Sequence, residues 1–159
     1  MTRKIKYDTK VDFTVTIASI ANDAAQQTTE VDNSTDRAPR AHVMGKIKAN
    51  AAGVSATGLV HIYAYGSSDD QATRTENAGS TNAAITVNAQ TNLRLIDSIH
   101  LNANGMTAYF GPLAVENAFG GTLPKFWGVV IQNKSGAALD STAGNHSLAY
   151  QLNYDESVA

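Results

Sequence analysis

The chain has 159 residues, 12 basic against 14 acidic, and no cysteine. That length suits one domain, which at this size buries roughly 68–70% of the surface its unfolded chain exposes and needs no covalent staples. A net charge of −2 is too neutral for a protein that wraps nucleic acid, and the lack of cysteine excludes disulfide scaffolds and thiolate metal sites.

Residues 1–10 read as an N-terminal arm that precedes a single domain at 11–159. Arg3, Lys4, Lys6 and Lys10 stand there against Asp8 alone. Within the arm Ile5 and Tyr7 alternate like strand residues, so Arg3, Lys4, Ile5, Lys6 and Tyr7 are the candidate partner contacts. The expected arrangement is an arm that is mobile in the free chain. On a neighbour it orders, with Ile5 and Tyr7 pairing against a strand edge and the cations facing acidic groups. The basic start runs into an alternating segment, so no secretory signal is expected. No stretch approaches the roughly 20 apolar residues of a membrane helix.

From Val11 the pattern has period two, with Val11, Phe13, Val15 and Ile17 on one face, which predicts a half-buried strand. Residues 22–40 turn polar and predict a long connection holding a short strand near 28–32. Strands are then predicted at 42–49, at 59–65 and, after a long polar loop over 66–81, around Ile85 and Val87. The third of these is apolar on both faces and is expected in mid-sheet. At 93–101 the alternation would place Asp97 among Leu93, Leu95, Ile99 and Leu101. Either Asp97 is buried with a partner or a bulge near 96–98 resets the phase, and the bulge is the preferred reading. Asn104-Gly105 is a hairpin-turn dipeptide leading into a strand at 106–110. Pro112 suits a first helical position and Gly120 a residue just past a helix end, so one short helix is predicted at 112–119. Phe126 to Asn133 are apolar on both faces, which predicts a central strand. Leu148, Tyr150, Leu152 and Tyr154 alternate along a last one. About eight strands with turns between them predict an all-β fold, an antiparallel β-sandwich of jelly-roll type.

The sequence offers little chemistry. His42, His61, His100 and His146 sit in separate strands, with no His-x-x-x-His spacing. There is no nucleophile elbow, phosphate loop or dinucleotide fingerprint. No catalytic, cofactor-binding or metal-binding residue is therefore assigned, and the chain is read as non-enzymatic. Asp69-Asp70 and the region around Asp140 to Asn145 are the only loop positions with a calcium-like look. Asn33-Ser34-Thr35, Asn133-Lys134-Ser135 and Asn145-His146-Ser147 match the glycosylation sequon and are read as chance matches. Trp127 is expected in the core, and Tyr63, Tyr65 and Tyr109 are the tyrosines expected at the surface.

The C-terminal half carries a resemblance. Asn92-Leu93 with Leu95-Ile96, Ala118-Phe119-Gly120-Gly121-Thr122-Leu123-Pro124, Trp127-Gly128-Val129-Val130 and Asn133-Lys134-Ser135-Gly136-Ala137-Ala138-Leu139 are its main segments, followed by Asn145-His146 and Tyr150. Together they resemble small virion structural proteins of tailed bacteriophages, including capsid decoration or cement proteins. The N-terminal half fits more loosely, through residues 15–20 and 60–66. The resemblance implies a virion protein made in the host bacterial cytoplasm and placed on the capsid surface. Its implied partners are the major capsid protein and copies of itself, a trimer by analogy of fold, with no nucleic acid and no membrane. It brings no catalytic residues. The alternatives are a neck, tail or fibre-associated virion protein, or a carbohydrate-binding module.

Overall fold

A computed structural model describes residues 2–67, 79–87 and 92–158. The last of the strands is the longest and organises the first sheet. Strand β11 (Ser147–Val158) takes β1 (Thr2–Tyr7) and β2 (Val11–Asp12) along one edge and β5 (Arg40–Lys48) along the other. Strand β9 (Thr107–Ala114) lies outside β5. The second sheet is built on β10 (Phe126–Lys134). On one side of it run β3 (Ala25–Gln27) and β4 (Val31–Asp32), with the short β7 (Ala83–Ile85) beyond β3. On the other side lie β6 (Leu59–Ser67) and then β8 (Leu93–His100). Every pairing is antiparallel.

If the interrupted pairs β1/β2 and β3/β4 are each counted once and β7 is set aside, eight positions remain. In chain order they pair first with last, second with seventh, third with sixth and fourth with fifth. That is a jelly roll, as the sequence predicts.

The core lies between the sheets. Val43 and Ile47 from β5, Val60 and Ile62 from β6, Trp127, Val129 and Ile131 from β10, and Leu148 and Leu152 from β11 are all buried there. Burying such a side chain contributes about 1.5–3 kcal/mol. Trp127 is fully buried and sits edge-on to Phe13 and Tyr150, with ring centroids 5.8 and 5.3 Å away. A second, smaller apolar cluster lies on the outer face of the second sheet. There Tyr65, Val130 and Ala25 are packed by Ile85, Val87 and Leu93. Gln27 and Glu30 fasten this cover, holding the backbone of residues 79–81. Two covered faces explain why β10 reads as apolar throughout.

Several expectations change in detail. The predicted strand from Val11 is regular only over Val11–Asp12. Phe13 and Ile17 are buried as expected, but outside any strand, in the segment that leads from the first sheet to the second, and Val11 of the same predicted face is exposed at 44%. The connection at 22–40 holds two short strands, with Thr28 between them bridging to Val129 through its backbone N–H and its hydroxyl. The bulge in β8 is real. Ile62 faces Asp97 and Tyr63 faces Leu95, which leaves Ile96 as the extra residue. The Asn104-Gly105 turn exists, but it joins strands of different sheets and does not close a hairpin. The predicted helix is shorter than 112–119. Pro112 belongs to β9, and only Val115–Phe119 form a 3-10 turn, which Gly120 ends in the left-handed region at φ 78°. Among the described residues no helix is long and apolar enough to cross a membrane.

Candidate interaction surface

The candidate contact residues of the arm form one strand. β1 runs in register along the end of β11, from Thr2 opposite Val158 to Tyr7 opposite Asn153. The sequence reading set residues 1–10 apart and gave Ile5 and Tyr7 a neighbour's edge. In the structure residues 2–7 are continuous with the first sheet, and their partner is the chain's own last strand. Arg3, Lys4, Ile5, Lys6 and Tyr7 are all exposed, with Ile5 at 50% and Tyr7 at 57%.

The two strands outrun the sheet. β5 pairs with β11 only as far as Arg40 opposite Asn153. Among the described residues, β1 is therefore the one strand partner of 154–158, and the two form a two-stranded ribbon beyond the body of the roll. The sequence explains the change. Leu148, Leu152 and Tyr154 point toward the core, after which Asp155-Glu156 offers nothing to bury. At the ribbon's base Arg40 pairs with Asp155, and Tyr7 lies tilted against His42 at 6.5 Å. Exposed contacts of this kind contribute roughly 0–1 kcal/mol each, and a two-stranded ribbon by itself is only marginally stable in water.

Lys4 stands opposite Glu156, Ile5 opposite Asp155 and Lys6 opposite Tyr154. Among the described residues no ion pair uses Arg3, Lys4 or Lys6. The hydrogen-bonding sense is set by Asp8, whose N–H donates to the carbonyl of Leu152. Because backbone groups alternate sides along a strand, Asp155 and Ser157 turn theirs away from β1. Arg3, Ile5 and Tyr7 likewise turn theirs away from β11. Among the described residues nothing pairs with these two edges of the ribbon, one basic and one acidic.

The other candidate chemistry is dispersed. His42 packs on Tyr7, His61 shares a 2.8 Å hydrogen bond with Ser98, and His100 is exposed. Burial, aided by Lys134, lowers the pKa of His61. His146 lines an open cleft of about 420 Å³ with Lys10, Asp12 and Ser147, but both its ring nitrogens are occupied. Nδ1 accepts from the Lys48 N–H at 3.3 Å, and Nε2–H donates to the Asp140 carbonyl at 2.8 Å. Asp140 is engaged by Asn145 and by the Thr142 N–H, which hold its carboxyl below the usual range, with Lys48 3.8 Å away. Asp69-Asp70 lies outside the described residues. Among the described residues no three His, Asp or Glu side chains gather into a metal-holding group.

Two of the sequon asparagines are structural hubs. Asn33 exchanges hydrogen bonds with Ala38, and fully buried Asn133 donates to Ile20 and Ala137 while accepting from Ser135. Asn145 donates to Asp140. Of the three tyrosines expected at the surface, Tyr65 is fully buried and donates to the Thr28 carbonyl. Tyr63 is half-buried and donates to Gln132, which leaves Tyr109 exposed at 77%. The sequence reading stopped the last strand at Tyr154 and missed Arg40, Asp155 and Glu156. The apolar alternation ends at Tyr154, since Asp155, Glu156 and Ser157 are all polar, so the sequence carried no signal for the extension.

Comparison of the chain with protein-family models, with curated proteins and with solved structures finds no match.

Proposed function

We propose that this chain is a non-enzymatic structural protein of a tailed-phage particle, a decoration protein that sits on the outer face of the major capsid lattice and stabilises the head. The resemblance of its C-terminal half motivates the reading, and one observation carries it. His61, His146 and Asp140 are spent on internal hydrogen bonds, while the ribbon presents exposed Ile5 and Tyr7 and two open strand edges. A protein that works by contact on a repeating lattice needs a rigid body and an edge that can add to a neighbour. Many copies on one lattice also gain avidity from weak single contacts.

The test is the copy number in purified particles, together with rebinding of the isolated chain to particles stripped of it. The reading expects copies in the hundreds and saturable rebinding to heads. A handful of copies at the neck or tail would replace it with the tail-associated alternative. Absence from particles would end both.

A further inference from the structure

The ribbon differs from the other sheet edges. At the far edge of the first sheet, β9 is broken by a register shift opposite Val43 and Gly45 and carries Pro112, which has no N–H to donate. In the second sheet, β8 is bulged at Ile96 and β7 has only three residues. Bulges, prolines and short strands are the usual means of stopping a sheet from growing. β1 and the overhang of β11 have none of these, and the one guard they carry is charge, Lys4 and Lys6 on β1 and Asp155 and Glu156 on the overhang, which repels an edge of like sign.

Their charges decide what can add to them. β1 carries Arg3, Lys4 and Lys6, and the overhang carries Glu156 and Asp155, the latter already paired with Arg40 of its own chain. A two-fold contact would lay β1 on a second β1, or β11 on a second β11, and set like charges opposite each other, which destabilises a strand pair. Laying β1 of one copy on the β11 overhang of the next sets opposite charges together. The direction also suits it. β1 and β11 are antiparallel within a ribbon, so ribbons that project the same way meet as antiparallel strands. A contact between two different edges is head-to-tail, and when its rotation closes it gives a ring.

We infer that the ribbon is a head-to-tail assembly device, in which the basic edge of β1 adds to the acidic overhang of β11 on a second copy of this chain. Each copy then contributes two strands to a closed sheet around the ring axis. Ile5 and Tyr7 lie on one face of that sheet, and their exposed surface is covered by the neighbours. The use of such a ring on a capsid rests on the proposed function, but the ring itself needs only the two edges.

The chain has no cysteine, which makes the test direct. Two full-length variants are made, Ile5→Cys and Asp155→Cys, and each is oxidised alone and in an equal mixture at high protein concentration. The inference expects a disulfide-linked dimer in the mixture and only background in either variant alone. Linkage within Ile5→Cys alone or within Asp155→Cys alone would mean a two-fold contact and would overturn it. No linkage in any sample would also overturn it, provided circular dichroism shows both variants folded. If either is unfolded, Arg3→Cys and Ser157→Cys replace them under the same criteria. Because the assay uses no particles, a chain that rebinds heads but fails to link loses only this inference.

Discussion

Gly128 in the central strand is a glycine because a ring lies on it. A Cβ built there would fall 2.3 Å from the Tyr65 hydroxyl oxygen and 2.4 Å from the carbon bearing it. Tyr65 cannot swing away cheaply, since it is fully buried and its hydroxyl donates to the Thr28 carbonyl at 2.9 Å. Gly128→Ala should therefore destabilise by about 1–3 kcal/mol through overpacking. Tyr65→Phe leaves the buried Thr28 carbonyl without its donor and should also cost about 1–3 kcal/mol. Urea unfolding of the two variants checks both costs. Titration gives a second prediction at this scale. Burial and Lys134 push His61 below its ordinary 6.5, and Asn145 and Thr142 hold Asp140 below its ordinary 3.8. In both cases the unfolded chain takes up the proton first, so stability must fall as pH falls. The decline should begin below 6.5 through His61 and deepen below 3.8 through Asp140. Urea midpoints across that range should show both steps. His61→Gln should remove the first and Asp140→Asn should blunt the second.

The short turn after β9 shows how a local signal can be half right. Gly120 does stop a helical turn, and that part was legible in the sequence. Pro112 was misleading because a proline at a first helical position and a proline on a sheet edge look alike without the neighbouring strand. What fixes the turn is not local. Glu116 is buried, and its carboxylate accepts the N–H of Ala41 in β5 at 3.2 Å. Glu116→Ala would strand that donor and should cost about 1–3 kcal/mol. Glu116→Gln keeps an acceptor and should cost clearly less, and thermal melts of the pair measure the difference. The bulge in β8 was legible for the opposite reason. Asp97 sat at an apolar phase, and one extra residue is the simplest way to move it. β4 falls inside the short strand predicted near 28–32, whereas β3 escaped because it is too short to show a period.

At the scale of the molecule, the sandwich could be read from alternation and turn spacing alone, because both follow directly from which face of a strand is buried. The ribbon could not. Its strands are long polar stretches, and pairing between residues at opposite ends of the chain leaves no trace in either segment. Removing residues 1–10 should separate the two parts. The shortened chain keeps every core residue named above, so its far-ultraviolet spectrum should remain that of a folded β protein. Its residues 154–158 would lose their one strand partner. It should therefore neither self-associate in sedimentation experiments nor rebind stripped particles at full strength. Full-strength rebinding would reduce β1 to a passive cover for β11.

Thr2 and Val158 face each other at the tip of the ribbon, so the two ends of the described chain leave it side by side. A passenger fused to either end would leave the molecule from the same place and in the same direction. For display of a cargo the two fusions are therefore interchangeable in geometry. They are equally exposed to one hazard, since a bulky passenger at the tip crowds the axis on which neighbouring ribbons would meet.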